Sequence, residues 1–264
     1  IRFAVFDNDL NENYSENLHV SYDDNYSNHF LAIEKIIKKA EKKIKSHIEN
    51  IILITDINNL ISIDISFSKT FDEKEDVNKV YNSITQELTQ LVETNYPKFT
   101  IVHLILNNCT IDNVSYTEIP REKKNIKNIK VDLKFICFPK ALIDKLKKKF
   151  NVLNINISNI FCTSYIKTIS YLRKLNLNNV SFLEIGWERT SFMNYKYNIL
   201  KSIFSIPIGS FHITKDISKI FKINLDEAEK VKKSFNQSET EFSYINNQNN
   251  QNNQNNRNIS LKEI

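Results

Sequence analysis

Only two glycines occur in the 264 residues, Gly186 and Gly209, and both stand where bare backbone could do chemistry. At average usage of about 7% a chain of this length would carry roughly eighteen, so the survivors mark places that resist a side chain. Gly186 follows Phe182-Leu-Glu-Ile and precedes Trp187-Glu-Arg-Thr-Ser; Gly209 lies in Ile206-Pro-Ile-Gly-Ser-Phe-His-Ile-Thr-Lys-Asp-Ile. Each ends an apolar run that reads as a strand, where glycine permits a tight turn or a close backbone approach. Glycine turns are also where N–H groups can converge on a phosphate. Arg189 could reach such an anion, or be an exposed turn arginine. Glu229 and Lys232, three apart on a helix, have the spacing of a solvated ion pair.

Other chemistries find less support. His19, His29, His47 and His103 share no metal-ligand spacing, His212 reads as a turn residue, and no Ser-His-Asp or Cys-His arrangement assembles. Cys109, Cys137 and Cys162 fit neither a disulfide framework nor a zinc pattern, which predicts reduced, buried thiols. The net charge of +5 raises nucleic-acid binding. The lysines, in runs at Lys35, Lys38, Lys39, Lys42 and Lys43 and at Lys145, Lys147, Lys148 and Lys149, read instead as solvated helix faces interleaved with Asp and Glu. No apolar stretch is long enough to span a bilayer and no signal peptide is legible. The start at Ile1, without methionine, is expected to lie inside a longer protein.

The elements that must position the glycine turns come from periodicity. Ile1–Phe6 reads as a strand, with residues 17–22 as a candidate partner. Residues 30–48 carry a helical stripe (Ile33, Ile36, Ile37, Ala40, Ile44), followed by a buried strand at 51–54 and an alternating one at 60–67. After an acidic break at 71–76, Val77, Val80, Tyr81, Ile84, Leu88, Leu91 and Val92 form another helical stripe. Strands at 100–106, 114–119 and 129–137 follow, then a lysine-rich helix with Pro139 in its first turn. A strand is expected at 152–157 and a helix at 163–175. Three strands come next, at 180–185, 190–195 and 199–206, with Phe192, Tyr195, Tyr197 and Phe204 expected in the core. Two helices close the series, at 211–221 and 226–235, the second capped by Asn224. The Asn/Gln tract beyond Ser238 is expected to be disordered, and Ile259–Ile264 to begin a helix.

Strand, glycine turn, two strands, Pro-Ile-Gly and two helices resemble the second half of the actin-like ATPase fold, and more closely the bacterial FtsA family. That family carries a pattern like Asp-Ile-Gly-Gly-Gly-Thr-Thr-Asp, matched by Glu184-Ile-Gly186-Trp-Glu-Arg-Thr190-Ser191. A second, like Pro-Ile-Gly-Gly-Asp-His-Val-Thr-Asn-Asp-Ile, is matched by Pro207-Ile-Gly209-Ser-Phe-His212-Ile-Thr214-Lys-Asp216-Ile217. A third, Leu-Glu-Glu-Ala-Glu-x-x-Lys, is matched by Leu225-Asp-Glu-Ala228-Glu229-Lys-Val-Lys232.

The resemblance implies an α/β, actin-like (ribonuclease-H-like) fold with a small inserted α+β subdomain, incomplete at both ends. Its parts would be a first subdomain at 1–69 and 152–178, the insert at 70–151, a second lobe at 179–238, and the Asn/Gln-rich segment at 239–264. It implies a nucleotide site at Glu184, Gly186, Arg189, Thr190, Gly209, Glu229 and Lys232, with ATP as a ligand of the full-length protein and no cofactor assigned to this stretch alone. It implies a cell-division scaffold on the cytoplasmic face of the inner membrane, with FtsZ, later division proteins and copies of itself as partners. The anchor would be a C-terminal segment beyond this sequence, and no nucleic acid is expected. The departures matter: Trp187 and Glu188 replace glycines, and Glu184 and Ser191 replace acidic positions around metal-bound water, so no hydrolysis and no catalytic or metal-binding residue are expected. A pilus-assembly actin-like protein is the alternative; a small-molecule kinase of the same superfold would need an intact phosphate turn.

Overall fold

The computed structural model describes residues 1–18, 27–175, 178–234, 241–245 and 256–260. They fall into two units, Ile1–Ile57 with Ile61–Ile166, and Asn58–Leu60 with Lys167–Ile264. In chain order the first unit holds β1 (Arg2–Phe6), β2 (Glu12–Asn17), α1 (Ser27–Ile44), β3 (Asn50–Thr55), β4 (Ile61–Glu75) and α2 (Val77–Asn95). It continues with β5 (Phe99–Ile111), β6 (Val114–Tyr116), β7 (Ile126–Pro139), α3 (Lys140–Asn151) and β8 (Asn156–Cys162). Helix α4 (Thr163–Leu175) runs from the first unit into the second, which adds β9 (Asn179–Ile185), β10 (Thr190–Lys196), β11 (Ile199–Ile206), α5 (Ser210–Phe221), α6 (Leu225–Ser234), β12 (Glu241–Ile245) and β13 (Asn256–Ser260).

Two sheets organise the first unit. β3 and β8 pair in parallel, while β4-β7-β5-β6 is antiparallel. The first packs Ile51, Leu53 and Ile157 against Ile36, Ile37 and Ala40 of α1 and Phe150 of α3. The second packs Val131, Leu133 and Phe135 against Val77, Val80, Ile84, Leu88 and Val92 of α2, whose first turn is capped by the Asp76 carboxylate on the Asn78 and Lys79 N–H groups.

Several expectations need correction. The partner of β1 is residues 12–17 rather than 17–22, because Asp7 accepts the Asp9 and Asn11 N–H groups (3.0 and 2.9 Å) and closes the turn early; residues 19–22 lie outside the described residues. α1 ends at Ile44, where Lys45 turns left-handed (φ 58°). β3 is buried on one face only, with Ile52 and Ile54 more than half exposed. The acidic break at 71–76 is instead the end of β4, whose partner β7 is long enough to pair as far as Glu75. The expected boundary at residue 70 therefore falls within a strand. Leu91 is 48% exposed, turned off the α2 stripe. Pro139 is the N-cap of α3, not its first turn. The strand expected at 152–157 starts at Asn156, after a turn with Asn154 left-handed (φ 57°).

The β3–β8 sheet and the β4-β7-β5-β6 sheet meet at His103 on β5. Its Nε2 accepts the Cys162 N–H of β8 at 2.9 Å, and its ring stacks on Phe161 and lies edge-on to Tyr165. Burial pulls its pKa down to about 4, keeping it neutral so that Nε2 remains an acceptor. A folded pKa below the unfolded 6.5 means the unfolded chain binds more protons, so stability falls as pH drops from 6.5 towards 4. His103→Gln should flatten urea-midpoint against pH over that window; an unchanged profile would assign the pH dependence elsewhere. All three cysteines are buried and unbridged by disulfides, as expected, and Cys137 is pushed up to about 11 by burial.

In the second unit β10 is the central strand of β11-β10-β9. Met193, Tyr195, Leu200 and Ile203 are buried on one face, where the Tyr195 and Thr168 hydroxyls lie 2.7 Å apart. Tyr197 and Phe204, expected in the core, are 68% and 50% exposed. Tyr197 sits with Asn198 in a left-handed turn (φ 54° and 61°), and Phe204 faces outward beside Phe192. Ile217 and Phe221 of α5 pack on Ala228 and Val231 of α6, which Asn224 caps at the Glu227 N–H (2.8 Å) as expected. The disorder expected beyond Ser238 is interrupted by β12 and β13, which pair antiparallel. Ile259 therefore stands in a strand rather than at a helix start, consistent with the aromatic and β-branched residues of Phe242-Ser-Tyr-Ile.

Candidate functional site

The hairpin loop between β9 and β10 is Gly186-Trp-Glu-Arg189, closed by the Gly186 N–H on the Arg189 carbonyl (2.8 Å). The start of α5 packs directly on it. A Cβ at Gly209 would stand 2.5 Å from the Arg189 nitrogen, 2.5 Å from the Trp187 oxygen and 2.6 Å from the Gly186 oxygen, all backbone. Gly209 itself is extended (φ −141°), so it is glycine for want of space, not for its dihedral freedom. At Gly186 a Cβ would meet the Arg189 oxygen at 3.1 Å, a milder restriction.

A helix N-terminus offers unpaired N–H groups to an anion; here they are taken. Ser210 donates to the Gly186 carbonyl (2.9 Å), Phe211 to the Trp187 carbonyl (2.8 Å), His212 to the Gly209 carbonyl (3.0 Å), and Gly209 to His212 Nδ1 (3.1 Å). His212 is thus a capping residue, which makes its Nδ1 the acceptor. The Thr190 hydroxyl donates to the Ile208 carbonyl (2.7 Å), tying β10 to the same turn.

The side chains complete a clasp. The Trp187 ring stacks on Phe211 (centroids 5.0 Å apart) and receives the Lys232 ammonium over its face at 5.0 Å. Lys232 also donates to Glu229 (2.6 Å), Thr214 (2.9 Å) and the Ser210 carbonyl (3.2 Å), while Thr214 donates to Glu229 (2.7 Å). Burial tends to raise the Glu229 pKa, but the hydrogen bonds from Lys232 and Thr214 outweigh it and hold the carboxyl below its ordinary value.

Of the seven residues expected around a nucleotide, the structure thus brings Gly186, Arg189, Thr190, Gly209 and Lys232 to one turn, with Glu229 joined through Lys232. Glu184 lies apart on β9, paired with Lys167 at 2.5 Å, and Arg189 Nε donates to Ser191 (3.2 Å). At this turn the N–H groups of Gly186 and of Gly209 to His212 are engaged within the protein, Trp187 and Glu188 stand at the glycine positions, and the Glu229–Lys232 pair is turned inward. Phe211 is the clasp member missed from sequence; its place two residues after a glycine that abuts Trp187 becomes legible only when the two turns meet. Among the described residues no cluster of His, Cys, Asp and Glu could hold a metal.

This architecture is the actin-like α/β fold. Residues 182–264, which contain the whole clasp, match the family model described as Cell division protein FtsA. Among solved structures, a chain of the "PilM-PilN type IV pilus biogenesis complex" superposes with a TM-score of 0.53 at 13% identity, covering 77% of this chain and 56% of that one. The chain thus spans little more than half the length of that relative. The ethanolamine utilization protein EutJ from Carboxydothermus hydrogenoformans matches 31% of this chain and 28% of its own, at 22% identity and a TM-score of 0.26. None of the curated proteins compared matches the chain.

Proposed function

We propose that this is a cell-division scaffold of the FtsA type, acting through its surfaces to join the FtsZ ring to the inner membrane, recruit later division proteins and meet copies of itself. The observation that carries the reading is the FtsA match over 182–264, the stretch holding all three motifs. The closed turn supports a scaffold without ATP hydrolysis: the groups that would approach a phosphate bind one another. ATP is proposed only as a conformational ligand of the whole protein. No described helix is long and apolar enough to cross a membrane, in keeping with attachment at the cytoplasmic face. A small-molecule kinase would need the open turn that Trp187 and Phe211 close.

The second reading, a pilus-assembly actin-like protein that holds a short peptide, is favoured by the likeness to the PilM–PilN chain. Depletion separates the two. Filamentous cells with an assembled but unconstricted ring support the division scaffold; normal division with lost pili supports the alternative and ends the first.

A further inference from the structure

The chain's positive charge is gathered in one layer. Residues 27–45 and 140–151 hold eleven lysines and three carboxylates, Glu34, Glu41 and Asp144. That excess is larger than the +5 of the whole chain, so the remaining residues are net acidic. The two lysine runs are far apart in sequence but adjacent in space. α1 and α3 pack on the same face of the β3–β8 sheet through Ile36, Ile37, Leu146 and Phe150, and Phe30 meets Phe150 edge-on at 5.8 Å.

The outward sides of the two helices share one pattern. On α1, Leu31, Lys35, Lys38 and Lys42 follow each other at helical spacing; on α3 and just past it the exposed series is Leu142, Lys145, Lys148 and Val152, while the Lys149 ammonium lies over the Phe30 ring at 4.8 Å. Leu31, Leu142 and Val152 are 53%, 37% and 81% exposed. Lys38 and Lys39 are paired with Glu34 and Glu16. Among the described residues Lys35, Lys42, Lys45, Lys145, Lys147 and Lys148 form no ion pair and are exposed.

We propose that the α1/α3 layer docks on an anionic lipid surface. Its positive charges are all lysine, compact hydrated point charges suited to a diffuse array of headgroups, with no arginine fork for ordered bidentate recognition. The lysines sit on the outer sides of helices rather than along a groove that could track a nucleic-acid strand, and the aromatic rings of both helices, Phe30 and Phe150, are spent on one another beneath the layer, so no ring is offered to a base. Exposed aliphatic side chains beside lysines match the headgroup boundary, where apolar groups insert and ammonium groups meet phosphates. The inference goes beyond the division reading and stands without it.

The test is co-sedimentation of the purified chain with vesicles of phosphatidylcholine alone, or with roughly one third phosphatidylglycerol. Retention is expected on the anionic vesicles only, falling steeply with added salt. Each lysine near the surface contributes about fivefold, so the set Lys35→Gln, Lys42→Gln, Lys145→Gln and Lys148→Gln should lower retention by about a hundredfold or more. The control set Lys98→Gln, Lys127→Gln, Lys201→Gln and Lys219→Gln removes the same charge from exposed sites elsewhere and should cost far less. Leu31→Gln with Val152→Gln should weaken retention without changing its salt slope. Equal loss in the control set, equal retention on neutral vesicles, or capture by a DNA duplex where anionic vesicles are ignored would each overturn the proposal.

Discussion

Gly209→Ala should unfold the second unit's clasp and lower the stability of the chain by about 3 kcal/mol or more. The added methyl would stand 2.5–2.6 Å from three backbone atoms of the 186–189 loop, and backbone cannot step aside as a flexible side chain can. Relief requires the α5 start to lift off the loop, which lengthens the Ser210–Gly186 and Phe211–Trp187 hydrogen bonds together. For a chain of this size each kcal/mol moves the melting temperature by roughly 2–4 °C, so a fall of roughly 6–12 °C is expected. Gly186→Ala is the internal comparison: with a single contact at 3.1 Å, it should cost about 1 kcal/mol. Thermal unfolding followed by circular dichroism measures both. A Gly209→Ala protein as stable as the wild type would show that the two turns do not abut.

Why the two glycines survived was half legible from their neighbours. Their positions at strand ends pointed to turns and a close approach, and both are present; the approaching group was expected to be a phosphate and is the protein's own backbone. Periodicity placed the helices because α1, α2 and α4 each lay one apolar stripe on a sheet. It failed at β4, where the outward positions carry Ser, Asp and Lys and only the facing strand decides how far pairing runs. It failed also at Phe204 and Tyr197, since alternation says which residues share a face but not which face is covered. The Asn/Gln tract hid β12 and β13 because composition averages over the short strands that flank it. The lysine layer was hidden for a related reason. Roughly a hundred residues of chain separate α1 from α3, and no local pattern reveals that the two runs end side by side.

Replacing the lysine at the centre of the clasp tests whether the remnant site acts as a unit. Lys232→Ala removes the ammonium from Glu229, Thr214, the Ser210 carbonyl and the Trp187 ring at once. Lys232 and Glu229 are 18% and 19% exposed, between a surface pair and a buried one, so the cost should be about 2–3 kcal/mol. Glu229 keeps the Thr214 hydroxyl and Lys233 at 3.4 Å but loses the strongest of the hydrogen bonds that lower its pKa. The sign follows from that lowering. In the wild type the folded pKa lies below the ordinary 4.5, so the carboxylate's contribution is complete above that pH and is lost only as pH falls through the folded value. In the variant, burial is opposed by less, and the loss of stability should begin at higher pH. Trp187 is the chain's one tryptophan, so its emission should redden as the ring loosens from Phe211 and Lys232. A double-mutant cycle with Glu229→Gln should give a coupling of about 1 kcal/mol or more between the two positions. Additive costs and an unmoved emission would mean that the pair is an ordinary surface contact. A coupled loss would mean that lysine, carboxylate and indole hold α5 and α6 to the turn from within, which is the work a bound phosphate would do at an open turn, and a reason the chain can keep this frame without one.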